Sequence, residues 1–197
     1  MNKNLTILDK KIIITDCLSN DLREKLLVDC KPFLRKLGND YPAYQSDNNI
    51  SNYPQFQLVH QIFHSLACKY LEEELLPERS WFIMTEGKKE QSIMHDHPAD
   101  YVGVYYMNSH PSFPNGTEFQ EYGLVEVPEN SMVLFPGHLV HRPPVFNQKF
   151  KRYTMSLDWS LKSRVLTRKG KNPEGQSQIS GNCECFDGPI QIKMKDL

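Results

Sequence analysis

The sequence predicts a mainly β domain with helices on its N-terminal side, and three observations lead there. From Ser80 onward, short apolar or alternating runs ("SWFIMTEG", "YVGVYYMN", "TEFQEYGLVEV", "SMVLFP", "RYTMSLDWSL") are separated by Gly, Pro and Asn. That is the texture of an antiparallel sandwich or barrel. Before Ser80, two stretches repeat apolar residues at helical spacing. The 197 residues, 39% of them apolar, fit one globular domain able to bury a core without disulfides or a structural metal.

Taken in order, residues 5–15 ("LTILDKKIIIT") alternate and are rich in isoleucine, as a leading strand requires. In "SNDLREKLLVDCKPFLRKLG", Leu22, Leu26, Cys30, Phe33 and Leu37 recur at helical spacing, with Ser19 as N-cap and Gly38 just past the end. Pro32 has no N–H to donate, so it kinks or splits that helix. "NDYPAYQSDNNISNYP" is a polar connection with two prolines. In "QFQLVHQIFHSLACKYLEEELL", Val59, Ile62, Phe63, Leu66, Tyr70 and Leu71 form one apolar stripe. His60 and His64 lie beside it as helix-surface residues. A single domain over 1–165 is therefore expected, with a helical part at about 19–76 and a β core at about 80–160. Residues 166–197, rich in Gly, Ser and Pro, form a loop-rich extension.

Composition removes several function classes. No apolar run approaches the roughly 20 residues of a membrane helix, and the N-terminus lacks the apolar core and cleavage site of a signal peptide. A net charge of −1 without a long basic run gives no support for nucleic-acid binding. Five cysteines, an odd number, without an export signal point to reduced thiols and a cytoplasmic location. Oligomeric state has no signature in the sequence.

The chemistry concentrates in "MHDHPADYVGVYYM". Side chains two apart in an extended segment share a face, so His95 and His97 converge while Asp96 points away. A third ligand is offered by "VLFPGHLVHRPPV", where His138 and His141 follow a strand and a Pro-Gly turn. Imidazoles suit Fe, Zn, Cu and Ni. In "RYTMSLDW", Arg152, Thr154, Ser156 and Asp158 alternate with Tyr153, Met155, Leu157 and Trp159. A polar face on a central strand lines a wet cavity, and an arginine fork with a nearby hydroxyl suits a carboxylate. A metal beside a carboxylate clamp points to an acid cosubstrate.

Other candidates carry less. His138 belongs to the strand-to-strand turn, and His110 to a hairpin loop near the cavity mouth. Cys183 and Cys185 make half of a zinc site with no second pair in the chain. Glu118 has no assigned role.

The succession Trp81, Gly87, His95, His97, Pro98, Gly103, Val104, Tyr105, Tyr106, Phe135, Pro136, His141, Arg152, Thr154 resembles the Fe(II)- and 2-oxoglutarate-dependent oxygenases. It is most similar to small bacterial and phage-type members with a His-x-His-Pro…Gly-Val-Tyr-Tyr…His…Arg-x-Ser pattern, over about residues 79–160. The resemblance implies a double-stranded β-helix (jelly roll) with two helices packed on its major sheet. It implies a dioxygenase that uses Fe(II), 2-oxoglutarate and O2 to hydroxylate a small molecule or protein side chain, releasing succinate and CO2. Arg152, helped by Thr154 and by Tyr106 or Tyr105, would hold the distal carboxylate. The family's commonest ligand set is His-x-Asp…His, whereas position 97 is a histidine. Three arrangements follow: His95, His97 and His141 together; His95 and His141 with Asp96 after a bulge; or a site lacking one ligand. A cupin-type metal protein is the alternative, although "PADYVG" lacks the expected glutamate. The segments 39–54 and 107–117 would form the rim that selects substrate.

Overall fold

The structure, a computed structural model, describes residues 5–8, 11–37, 43–86, 93–112, 114–145 and 150–169. The chain opens with strands β1 (Leu5–Leu8) and β2 (Lys11–Ile14), helix α1 (Asn20–Asp29), and two short strands, β3 (Arg35–Lys36) and β4 (Ala43–Gln45). Helix α2 (Pro54–Leu71) then leads into β5 (Leu75–Glu86), β6 (Tyr101–Tyr106), β7 (Gly116–Phe119) and β8 (Gly123–Glu126). Strands β9 (Ser131–Pro136), β10 (His141–Arg142) and β11 (Lys151–Leu161) follow, and α3 (Lys162–Lys169) continues from β11. Among the described residues these make an eight-stranded antiparallel sheet, ordered β1-β2-β9-β6-β11-β5-β4-β3, and a smaller one, ordered β10-β7-β8. The two sheets form a jelly roll.

Period-two alternation assigns the two faces of the large sheet. On one face Phe82, Tyr105, Met132, Leu134, Met155, Leu157 and Trp159 join Leu26 of α1 and the stripe of α2 in one cluster. On the other, Val102, Tyr106, Val133 and Phe135 meet Phe119 and Val125 of the small sheet. Each large side chain so buried contributes roughly 1.5–3 kcal/mol. Gly103 is required by this packing: a Cβ there would lie 2.7 Å from Cζ3 of Trp159.

Several elements differ from the sequence expectation. Residues 5–15 form a hairpin rather than one strand, with Leu5 opposite Ile14 and Leu8 opposite Lys11. Ser19 does cap α1, its Oγ accepting from the Leu22 amide at 3.3 Å. The helix ends at Asp29, however; Pro32 sits in a 3₁₀ turn at Lys31–Phe33, and the chain is extended by Arg35. The polar stretch 39–54 is more than a connection, since it supplies β4, and Ala43 and Ile50 are buried. His60 is buried, not on the helix surface, because α2 is covered over an arc wider than its aliphatic stripe, taking in Phe56 and Ala67 too. Gly38, Gly87, Cys183 and Cys185 lie outside the described residues. Among the described residues no helix is long and apolar enough to cross a membrane.

Candidate active site

Backbone pairing brings the histidines together. His95 and His141 exchange both amide-to-carbonyl bonds, at 3.0 and 2.8 Å. Two residues along, the His97 amide donates to the Gly137 carbonyl at 2.9 Å, and the Gly137 amide to the Asp100 carbonyl at 3.0 Å. The segment carrying His95 and His97 is thereby laid against β10 and the turn before it, beside the small sheet. The Pro-Gly turn is needed for contact this close.

Side-chain hydrogen bonds then orient all three rings. Nδ1 of His95 donates to the Ile93 carbonyl (3.1 Å), Nδ1 of His141 to the Leu139 carbonyl (2.8 Å), and Nδ1 of His97 to Oδ1 of Asp158 (2.7 Å). These partners are carbonyl and carboxylate oxygens, which only accept, so Nε2 of each ring is the nitrogen left to bind a metal. The ligand atoms of the three residues lie within 4.8 Å of one another. Burial pushes the pKa of His141 down to about 4, which keeps it neutral and able to bind a cation. Asp96 lines the same cavity but does not belong to this cluster. Trp81 stacks on His97, with centroids 5.6 Å apart.

The cavity beside the histidines measures about 480 Å³. The alternate polar residues of β11, Arg152, Thr154 and Ser156, are all buried and line it together with Tyr106. Arg152 donates from Nη1 to the Gly116 carbonyl at 3.1 Å. The Tyr106 hydroxyl and Thr117 Oγ1 share a hydrogen bond. Burial raises the Tyr106 pKa to about 12 against the opposing pull of Arg152, so Tyr106 stays a neutral donor. Tyr105 points to the other face, where its hydroxyl donates to Asn130 Oδ1 at 2.8 Å and its ring lies 4.5 Å from Phe63. His138 is exposed in its turn, and His110 packs on Phe150, away from the cavity wall. Glu118 accepts a two-point fork from Arg142, at 2.8 and 2.9 Å, which holds its carboxyl below the usual range.

Spacing did not single out Thr85 or Arg79, and it did not give the partner of Asp158. Thr85 stands directly opposite Arg152 across β5 and β11, and its buried Oγ1 has no hydrogen-bond partner. Asp158 shares the polar face with Arg152, which is a visible signal, but its partner His97 is 61 residues away. Arg79 bonds the other oxygen of Asp158. At the rim, Gln45 and Asn48 come from segment 39–54, joined by Leu37 and Ile93, while segment 107–117 reaches the cavity through Thr117.

No protein-family model matches the chain, and no curated protein matches it in sequence. Solved structures do. The non-heme alpha-ketoglutarate-dependent epimerase SnoN from nogalamycin biosynthesis superposes with a TM-score of 0.64 at 10% identity, over 77% of this chain and 78% of that one. A prolyl hydroxylase from Trichoplax adhaerens, in complex with a hypoxia-inducible-factor peptide, gives 0.60 at 13% identity, over 81% and 87%. HygX from Streptomyces hygroscopicus, with nickel, 2-oxoglutarate and hygromycin B bound, gives 0.61 at 10% identity, over 78% and 83%. The chain has the jelly-roll fold of these enzymes.

Proposed function

We propose that this chain is an Fe(II)- and 2-oxoglutarate-dependent dioxygenase that hydroxylates a small molecule or a protein side chain. The observation that carries this is one cavity holding both a three-histidine cluster with each Nε2 left to bind a metal and a buried arginine surrounded by hydroxyls. The donor set fits a divalent transition metal. The fold neighbours support the class, and they include an epimerase and a prolyl hydroxylase.

His95, His97 and His141 would hold the iron. Arg152, Thr154 and Tyr106 would hold the distal carboxylate of 2-oxoglutarate, and the unpartnered Thr85 Oγ1 adds a further donor. Bound Fe(II) would supply O2 activation coupled to oxidative decarboxylation of 2-oxoglutarate. The chain's own contribution is placement: Arg152 offers a planar fork that matches a carboxylate. Trp81, Ile83 and Val104 make apolar wall that keeps water from competing for those donors. Tyr106, neutral at ordinary pH, donates without adding charge. A cupin-type role would leave the buried Arg152 and its hydroxyls without a function.

Calorimetric titration of 2-oxoglutarate into Ni(II)-loaded protein tests the reading. Binding that requires the metal and weakens in Arg152→Ala is expected; binding indifferent to both would contradict it.

A further inference from the structure

Three imidazole ligands bring no negative charge to a divalent cation. The nearest buried carboxylate is one ring removed: Asp158 is fully buried and accepts from His97 Nδ1 at 2.7 Å. A buried carboxylate is tolerated only when paired and hydrogen-bonded, and here the pairing is double. Oδ1 takes the imidazole and Oδ2 takes Arg79, whose side chain is 37% exposed at the cavity rim. Arg79 also lies over Trp81, 5.7 Å from its centroid, and Trp81 stacks on His97. His97 is thus gripped on its edge by Asp158 and on its face by Trp81.

We propose that Asp158 is the positioning residue of the metal centre. It fixes the His97 tautomer and ring plane, and supplies through that ring the negative charge that the three-histidine set lacks. Arg79 is the counterweight. It neutralises Asp158 when the metal is absent and opposes the cation when it is present. This rests on the proposed metal role of the three histidines. Partners behind metal-ligating histidines raise ligand basicity, and losing them costs about 10- to 100-fold in metal affinity.

The test is Co(II) titration of the full chain at neutral pH, followed by visible ligand-field absorption, with thermal unfolding of each metal-free protein in parallel. Asp158→Asn keeps an acceptor oxygen for Nδ1 but loses the charge, and should bind Co(II) about ten-fold or more weakly. Arg79→Gln should bind it several-fold more tightly. A purely structural ion pair would lower stability and affinity alike in both variants; opposite signs in affinity distinguish the proposed role. Asp158→Asn within twofold of wild type, or Arg79→Gln no tighter than wild type, overturns the inference. Should Asp158→Asn fail to fold, Arg79→Gln decides on its own by the same criterion. Absence of Co(II) binding in wild type sinks the metal-centre reading itself, an outcome separable from wild-type binding that the two substitutions leave unchanged.

Discussion

Gly137 and Ala99 are in such close contact that a Cβ on Gly137 would sit 2.1 Å from the Ala99 carbonyl oxygen. The same glycine accepts the His97 amide and donates to Asp100, so this approach determines where His97 is held. Gly137→Ala is therefore expected to push the His97 segment off the turn before β10. Overpacking of this kind costs about 1–3 kcal/mol, a moderate fall in thermal stability. Metal affinity should fall further in proportion, given the tight geometry that ligands require. Co(II) titration beside thermal unfolding checks both.

Arg152 is buried and faces the cavity from the start of β11. Arg152→Lys keeps the charge but replaces a two-point fork with a single ammonium. Affinity for 2-oxoglutarate should drop roughly ten- to hundred-fold, the range for losing a hydrogen bond to a charged group. Metal affinity should stay the same, since no histidine contact changes. Calorimetry with Ni(II) and then 2-oxoglutarate separates the two.

Thr85 gives a prediction with two signs. Its Oγ1 is buried without a partner, so Thr85→Val removes an unsatisfied group and should stabilise the cosubstrate-free protein by about 1 kcal/mol. The same change should weaken 2-oxoglutarate several-fold if that hydroxyl awaits the carboxylate. A variant that loses stability and keeps affinity would remove Thr85 from the site.

Acid sensitivity follows from two buried histidines. Burial lowers the pKa of both His60 and His141 to about 4, while in the unfolded chain each titrates near 6.5. As pH falls through that window the unfolded state takes up protons that the folded state refuses. Stability of the metal-free protein is thus fully present above about pH 6.5 and is lost toward pH 4, with a slope of up to about 1.4 kcal/mol per pH unit for each histidine. His60→Leu should flatten the slope by its share, measured as denaturant midpoint against pH.

The parts of the site visible in the sequence were those set by period two. Alternation along "RYTMSLDW" put Arg152, Thr154 and Asp158 on one face, and the structure lines the cavity from that face. Parity likewise paired His95 with His97. It could not choose between Tyr105 and Tyr106, because Gly103 and the aromatic run leave the strand's phase open; the Gly103–Trp159 contact sets it. The pairing of Asp158 with Arg79 and His97, and the place of Thr85 opposite Arg152, stayed illegible because cross-strand register and the segment carrying His97 set them, not spacing. Elements of two or three residues, such as β3 and β4, are too short for periodicity to register. β4 is held by pairing with β5, and β3 by pairing with β4, which no local pattern announces.

The central claim is that one cavity binds Fe(II) and 2-oxoglutarate together, and anaerobic absorption spectroscopy tests it most directly. Fe(II) and 2-oxoglutarate added to the metal-free protein should produce a weak visible charge-transfer band. That band should be absent in His141→Ala and should need far more 2-oxoglutarate in Arg152→Ala. Metal binding without any band at saturating 2-oxoglutarate would contradict the account.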